Sequence, residues 1–369
     1  MPEFDKWWND LKKHRKRLRH WLPHWKALAE RIGDGHPLRY FTLCARSMID
    51  VFMLVREGIL EVDLSNNSIC RVQFCECDQE QFDEIREMIA REDAGFFGRL
   101  EQVVLFEDDD FSGQFPTMES ISLKLEDEGL QADLPKLDKL LLKQTFFNVK
   151  ASFPYDCVNL DFCSYYYPKP PGMLHINRTV ERFLDWQRRP NDDGTSLSEF
   201  VLAVTCKHDS QFPQEAETRL TELIRSNCAM SPEYKEEIEK SRGTARIEDW
   251  ATRDREDFFF AGWPKDIARS AKDLGWSMEV LDYVYYRRLG DANNEYVIAC
   301  LVAKFSRANP IRPDVQTALF ALKPENRQFI SEIDRGSAEG QQLVQNLETI
   351  VVLHNEQARR KQRPELPSP

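Results

Sequence analysis

Pro154-Tyr155-Asp156-Cys157-Val158-Asn159-Leu160-Asp161-Phe162-Cys163 is an apolar run that delivers one carboxylate and then breaks into an aromatic loop. A buried strand that hands an acid to the loop at its carboxyl end is how open α/β sheets build a ligand crevice. Phe200-Val201-Leu202-Ala203-Val204-Thr205-Cys206 reads as a second such strand, ending in hydroxylic and polar residues. Outward from these two, strand-like and helix-like segments alternate. Pro37 to Leu43 predicts a strand and Arg46 to Leu60 an apolar helix capped by Ser47. Arg71 to Cys77 predicts a second strand closing on Glu76, followed by a charged helix from Gln79 to Arg91. Val103 to Phe106 predicts a third strand, ending in the acidic run Glu107 to Asp110. A helix around Val180 to Arg188 separates the strand at Cys157 to Asp161 from the one at Phe200 to Thr205.

The rhythm then changes. Met278 to Arg288 and Tyr296 to Phe305 read as strands with only Leu289 to Glu295 between them, which is enough for an antiparallel hairpin and too short for a crossover helix. The expected fold class is α/β, with a mostly parallel seven-stranded sheet, a terminal antiparallel hairpin and helices on both faces. Residues 1–36 are expected to form a basic, aromatic helical segment. Residues 37–307 form the Rossmann-like main domain with helical insertions at 109–152 and 207–262, and 308–369 a C-terminal helix and basic tail.

The net charge of -12 is unevenly placed. Residues 1 to 32 carry nine Lys or Arg against four Asp or Glu, so they contribute +5 and the remainder -17. Interleaved with Trp7, Trp8, Trp21 and Trp25, these cations predict an RNA or DNA contact in which the backbone is held electrostatically and bases stack on rings. The competing expectation is a helical hairpin bent at Pro23 whose tryptophans dock on the main domain. The helical insertions offer a docking surface for a protein partner. Nine cysteines, several inside apolar strands, read as small buried hydrophobes and predict neither a disulfide framework nor a metal site. Without an apolar span or a signal-peptide pattern the chain is expected to be cytoplasmic, with no membrane contact.

The order of elements resembles the seven-stranded fold of the class I S-adenosylmethionine-dependent methyltransferases, whose last two strands form such a hairpin, over roughly residues 37 to 307. Asp156-Cys157-Val158-Asn159-Leu160-Asp161 and Val204-Thr205-Cys206-Lys207 are similar to two segments of the tRNA dimethylguanosine methyltransferases. There a strand Asp-Val-Ile-Asp-Leu-Asp precedes a Pro-Tyr-Gly loop, and a later strand ends in Val-Thr-Cys-Thr-Asp. The resemblance implies S-adenosylmethionine as cofactor, with Leu43, Cys44 and Ala45 in the turn that approaches it. It implies Glu76 on the ribose hydroxyls and Glu107 or Asp108 beside the adenine amino group. Asp161 would orient or deprotonate the methyl-accepting nucleophile, and Phe162 and Tyr165 would shape the pocket around a planar, possible nucleic-acid, acceptor.

Two departures from that family stand out. Leu43-Cys44-Ala45-Arg46-Ser47 replaces the glycine-rich cofactor turn, and Phe162-Cys163-Ser164 replaces the proline-aromatic loop. They keep open a noncatalytic Rossmann-like scaffold working in a larger complex. A third expectation is a phosphoribosyltransferase-like enzyme using residues 103–113, where Val103-Val104-Leu105-Phe106-Glu107-Asp108 leads into Ser112-Gly113. Nucleophile elbows of the Gly-x-Ser-x-Gly type and Gly-Lys-Ser/Thr phosphate loops do not occur in the sequence.

Overall fold

A computed structural model of the chain describes residues 10–33, 38–44, 47–63, 68–90, 94–100, 144–167, 176–190, 194, 196–208, 214–242, 247–289, 295–307 and 315–361. Its centre is a mixed, mostly parallel sheet. The strands are β1 Tyr40–Thr42, β2 Val62–Asp63, β3 Ser68–Ile69, β4 Val72–Glu76, β5 Phe96–Phe97, β6 Cys157–Tyr165, β7 Glu199–His208, β8 Ser277–Leu289, β9 Glu295–Ser306 and β10 Gln328–Phe329. Eight of them form one sheet in the order β10-β8-β9-β7-β6-β1-β4-β5, while β2 and β3 make a separate antiparallel pair.

β1 pairs in parallel with β4 on one side and β6 on the other. Chain connections from β1 therefore leave in opposite directions, and the crevice beyond the carboxyl ends of β1 and β6 is the switch point at which open α/β sheets bind ligands. β9 runs against both of its neighbours, β7 and β8.

Helices cover both faces. On one lie α1 Leu11–Lys16, α2 Leu22–Ile32, α3 Ile49–Arg56, α4 Gln79–Ile89 and, near the C-terminus, α11 Ala338–Lys361. On the other lie α5 Ile176–Trp186, α6 Gln214–Met230, α7 Pro232–Arg242, α8 Ile247–Arg253, α9 Arg255–Asp273 and α10 Val315–Leu322. The period of two along each strand decides which side chain goes where. Tyr40, Val201 and Ala203 join the first core, and Phe41, Phe200, Leu202 and Val204 join the second. Asp78 caps α4 by accepting from Gln81 N, and Phe82, Ile85 and Ile89 form the buried stripe that docks it.

Several expectations change. Among the described residues the sheet has eight strands, one of them the short Gln328–Phe329, which adds in parallel to the edge of β8. Phe96–Phe97 pairs with β4 at the opposite edge. The strand expected at Val103 to Phe106, the 103–113 loop, Ala45, Glu107 and Asp108 all lie outside the described residues. Ser47 does not cap the first sheet-crossing helix: Met48, in the left-handed region at φ 44°, precedes Ile49 with no side-chain cap. Pro23 does not bend a hairpin either. A five-residue π-helical turn, Arg17–Trp21, joins α1 to α2, with Leu22 N donating to Arg17 O five residues back. That wide turn absorbs the proline, which has no N–H to give a regular helix.

Candidate functional site

The switch-point crevice opens into a cavity of about 490 Å³. Leu43 and Cys44 enter it from the turn after β1, Glu76 and Cys77 from the end of β4, and Asn159, Asp161 and Phe162 from β6. Gly98, Arg99 and Leu100 close the β5 side. Of the residues expected here, Leu43, Cys44, Glu76, Asp161 and Phe162 thus meet in one place. Tyr165 does not line the cavity; it lies beyond a register irregularity in the pairing of β6 with β7, where it sits opposite Lys207.

Glu76 is oriented by its own backbone. Its Oε1 accepts from Cys77 N at 2.7 Å and Asp78 N at 3.0 Å, which holds the carboxylate at the cavity wall. This is the place where a strand-end acid meets ribose hydroxyls in dinucleotide folds. At the base of the crevice the Asp50 carboxylate, in the first turn of α3, is 4% exposed. Its Oδ2 accepts from Tyr40 OH at 2.7 Å, Thr42 Oγ1 at 2.6 Å and Asn159 Nδ2 at 3.1 Å. Because a carboxylate only accepts, Asn159 must turn its amide nitrogen toward Asp50, and its Oδ1 is the atom left over. No described residue donates to that oxygen.

The N-terminal segment is part of this site, which the sequence reading placed elsewhere. Lys13, Lys16 and Arg17 share one face of α1 and its π-turn by their spacing of three and four residues. Lys13 Nζ lies 2.8 Å from Asp161 Oδ2 and Lys16 Nζ 3.6 Å from Asp161 Oδ1. Lys16 is wholly buried, donates to Thr205 Oγ1 at 3.1 Å and stands 4.2 Å over the Trp21 ring. Burial alone would raise the Asp161 carboxyl, but Lys13, Lys16 and Arg17 together hold it below the ordinary carboxylate range. Burial lowers the Lys16 ammonium from its usual value, against the opposing pull of Asp161.

Trp21 and Trp25 are 0% exposed and pack with centroids 5.5 Å apart in the core. Neither ring is accessible to a nucleic-acid base, so that part of the expectation is corrected in favour of docking; Trp7 and Trp8 lie outside the described residues. The clue missed in the sequence was the Lys13-x-x-Lys16-Arg17 spacing, which reads equally well as a solvated face until the strand ends are seen above it.

Cysteine chemistry has little place here. Burial pushes the Cys44 thiol well above its ordinary value and raises Cys77 too, with Glu76 adding to both, so neither is poised as a thiolate. Among the described residues no group of three or more His, Cys, Asp or Glu side chains is placed to hold a metal ion, and no helix is long and apolar enough to cross a membrane. No protein-family model matches the chain, and no curated protein is similar to it.

Proposed function

We propose that the chain is a Rossmann-like protein of the class I methyltransferase type whose switch-point cavity binds an adenosyl ligand, S-adenosylmethionine. One observation carries this reading: Leu43, Cys44, Glu76 and Asp161, drawn from the ends of three adjacent parallel strands, converge on one cavity. The sheet order supports it further, with a doubly wound parallel part and a reversed long strand, β9, lying between β7 and β8, as in the closing hairpin of that fold. The donor set fits such a ligand. Glu76 takes the ribose hydroxyls, Leu100 and Phe162 supply apolar walls, and buried polar atoms without partners remain at the α1 side. When bound, S-adenosylmethionine supplies an electrophilic methyl group. Asp161, already committed to two lysines, orients charge at the crevice and is a poor proton acceptor.

That ion pairing favours a second reading, in which the chain binds the ligand as a noncatalytic scaffold. With Trp21 and Trp25 in the core, the proposal names no nucleic-acid acceptor. Calorimetric titration of the full chain with S-adenosylmethionine and S-adenosylhomocysteine tests the first reading: heat from the native protein that disappears in Glu76→Ala supports it. Absence of heat up to millimolar ligand overturns it. Label transfer from methyl-labelled S-adenosylmethionine to added RNA, DNA or protein separates enzyme from scaffold.

A further inference from the structure

Asp161 is paired with two lysines whose surroundings differ. Lys16 is wholly buried, held by Thr205 Oγ1 and the Trp21 ring, and does not line the crevice. It is the fixed counter-charge that a buried carboxylate needs. Lys13 sits three residues earlier on α1; its side chain is 21% exposed and its Nζ lies 2.8 Å from Asp161 Oδ2. Among the described residues it is the only lysine that lines the cavity, which it shares with Glu76, Leu43 and Phe162. Its neighbour Lys12 is engaged elsewhere, donating to Arg287 O at 2.9 Å and pairing with Glu332. The thiols in the same cavity, Cys44 and Cys77, are raised by burial and are poor nucleophiles. One accessible amine is therefore already delivered to the acid at the end of β6.

We infer that Lys13 Nζ is a methyl acceptor of this site, so that the chain methylates its own N-terminal helix. The inference rests on the adenosyl reading above and deepens it by naming the acceptor class, the primary amine of a lysine side chain. The Lys13 ammonium first loses a proton to water at the exposed part of its side chain; Asp161, held below the ordinary carboxylate range, does not take it. The nitrogen lone pair then attacks the methyl carbon of S-adenosylmethionine. The N–C bond forms, the C–S bond breaks and its electron pair returns to sulfur, leaving the neutral thioether S-adenosylhomocysteine. The methylammonium keeps its positive charge, so pairing with Asp161 survives the modification. Because α1 holds the amine in the cavity, the transfer takes place within one chain.

The test uses the native full-length chain, methyl-labelled S-adenosylmethionine and cleavage before aspartate, which releases residues 10–33 with Lys12, Lys13, Lys16 and Lys26 on one peptide. Fragment masses should place the label on Lys13 and none on Lys16. The fraction labelled per unit time should not change when the chain is diluted about tenfold, as an intramolecular step requires. Lys13→Arg, which keeps a cation beside Asp161, should remove the label from this peptide. A second readout needs no turnover. Acetic anhydride should acetylate Lys13, and S-adenosylhomocysteine at about ten times its Kd should slow that reaction about tenfold, while exposed Lys235 on α7 reacts as before. Heat from S-adenosylhomocysteine with no label on Lys13, whether or not Lys13 is shielded, overturns self-methylation and leaves the adenosyl reading standing. Label on Lys16, or labelling that slows on dilution, overturns it too. If neither adenosyl compound gives heat or shielding, the adenosyl reading itself fails and the inference falls with it.

Discussion

The aromatic lobe beyond β6 and the crevice between β1 and β6 both bury acidic groups, but they finish their hydrogen bonds differently. In the lobe, Asp266 accepts from Tyr167 OH at 2.8 Å and Arg219 Nε at 2.6 Å. Arg219 reaches on to Glu181 at 2.8 Å, and Ser270 donates to the same Glu181 oxygen at 2.9 Å. That chain closes on itself and ties α5, α6 and α9 together, beside the packed rings of Tyr166, Phe259 and Trp263. In the crevice the chain from Tyr40 and Thr42 through Asp50 ends at Asn159, whose Oδ1, like Arg17 Nε, is buried with no partner among the described residues. The first network ties three helices together; the second anchors the Asp50 carboxylate at the foot of the crevice. An open buried group costs about 1–3 kcal/mol, a cost that packing elsewhere must offset.

The largest effects should come from breaking charge pairing on the crevice side. Asp161→Ala leaves Lys16 buried without its counter-charge, and urea denaturation should show a loss of about 3–5 kcal/mol. A Lys16→Met, Asp161→Leu double substitution should recover much of that loss; a double variant as unstable as Asp161→Ala would show that packing, not charge, fixes α1. Trp263→Ala in the lobe should cost a similar amount, about 3–5 kcal/mol, by opening a void, yet leave ligand affinity unchanged because Trp263 does not line the crevice. Weakened ligand binding in that variant would erase the distinction between the two regions.

Acid should act on the crevice side first. His14, wholly buried on α1, has both ring nitrogens without partners, and burial, then Arg17 and Arg56, push its pKa down to about 3. A base with a depressed folded-state pKa stays neutral in the native chain while the unfolded chain takes up its proton. Stability from keeping it neutral is therefore full above the unfolded value of about 6.5 and is lost as pH falls from there toward 3, at up to about 1.4 kcal/mol per pH unit. His14→Phe should flatten the stability profile between about pH 6.5 and pH 4; an unchanged slope would assign the acid sensitivity elsewhere. Asp161 adds loss only at lower pH, because its carboxyl is held below the ordinary range and its contribution disappears as pH falls below about 4. The smallest effect should be at the exposed Arg269 to Asp273 pair, 3.3 Å apart on α9. Arg269→Ala should shift stability by no more than about 0.5 kcal/mol, and a larger change would mean that the lobe relies on its surface charges.

Much of the architecture was readable because it depends on local pattern. Apolar runs with a following acid marked β6 and the end of β4, and the short interval between Met278–Arg288 and Tyr296–Phe305 left no room for a helix. The strands that escaped notice, Val62–Asp63, Ser68–Ile69, Phe96–Phe97 and Gln328–Phe329, have two residues each, too few to show alternation. The site was half readable for a related reason. Glu76 and Asp161 announce themselves by following apolar strands, whereas Arg17, Asp50 and Asn159 sit inside a basic helix, an apolar helix and a strand, where their roles depend on neighbours far away in the chain.

The amino-acid order by itself determined the alternation of strands and helices, the acids at strand ends and the basic character of α1, because each follows from spacing within a dozen residues. Only the tertiary structure decided that α1 lies over the ends of β1 and β6, that Asp161 is spent on Lys13 and Lys16, and that Arg17 and Asn159 line the same cavity. Charge pairing and hydrogen-bond satisfaction are settled between residues such as Lys16 and Thr205, 189 positions apart, and no local pattern carries that information.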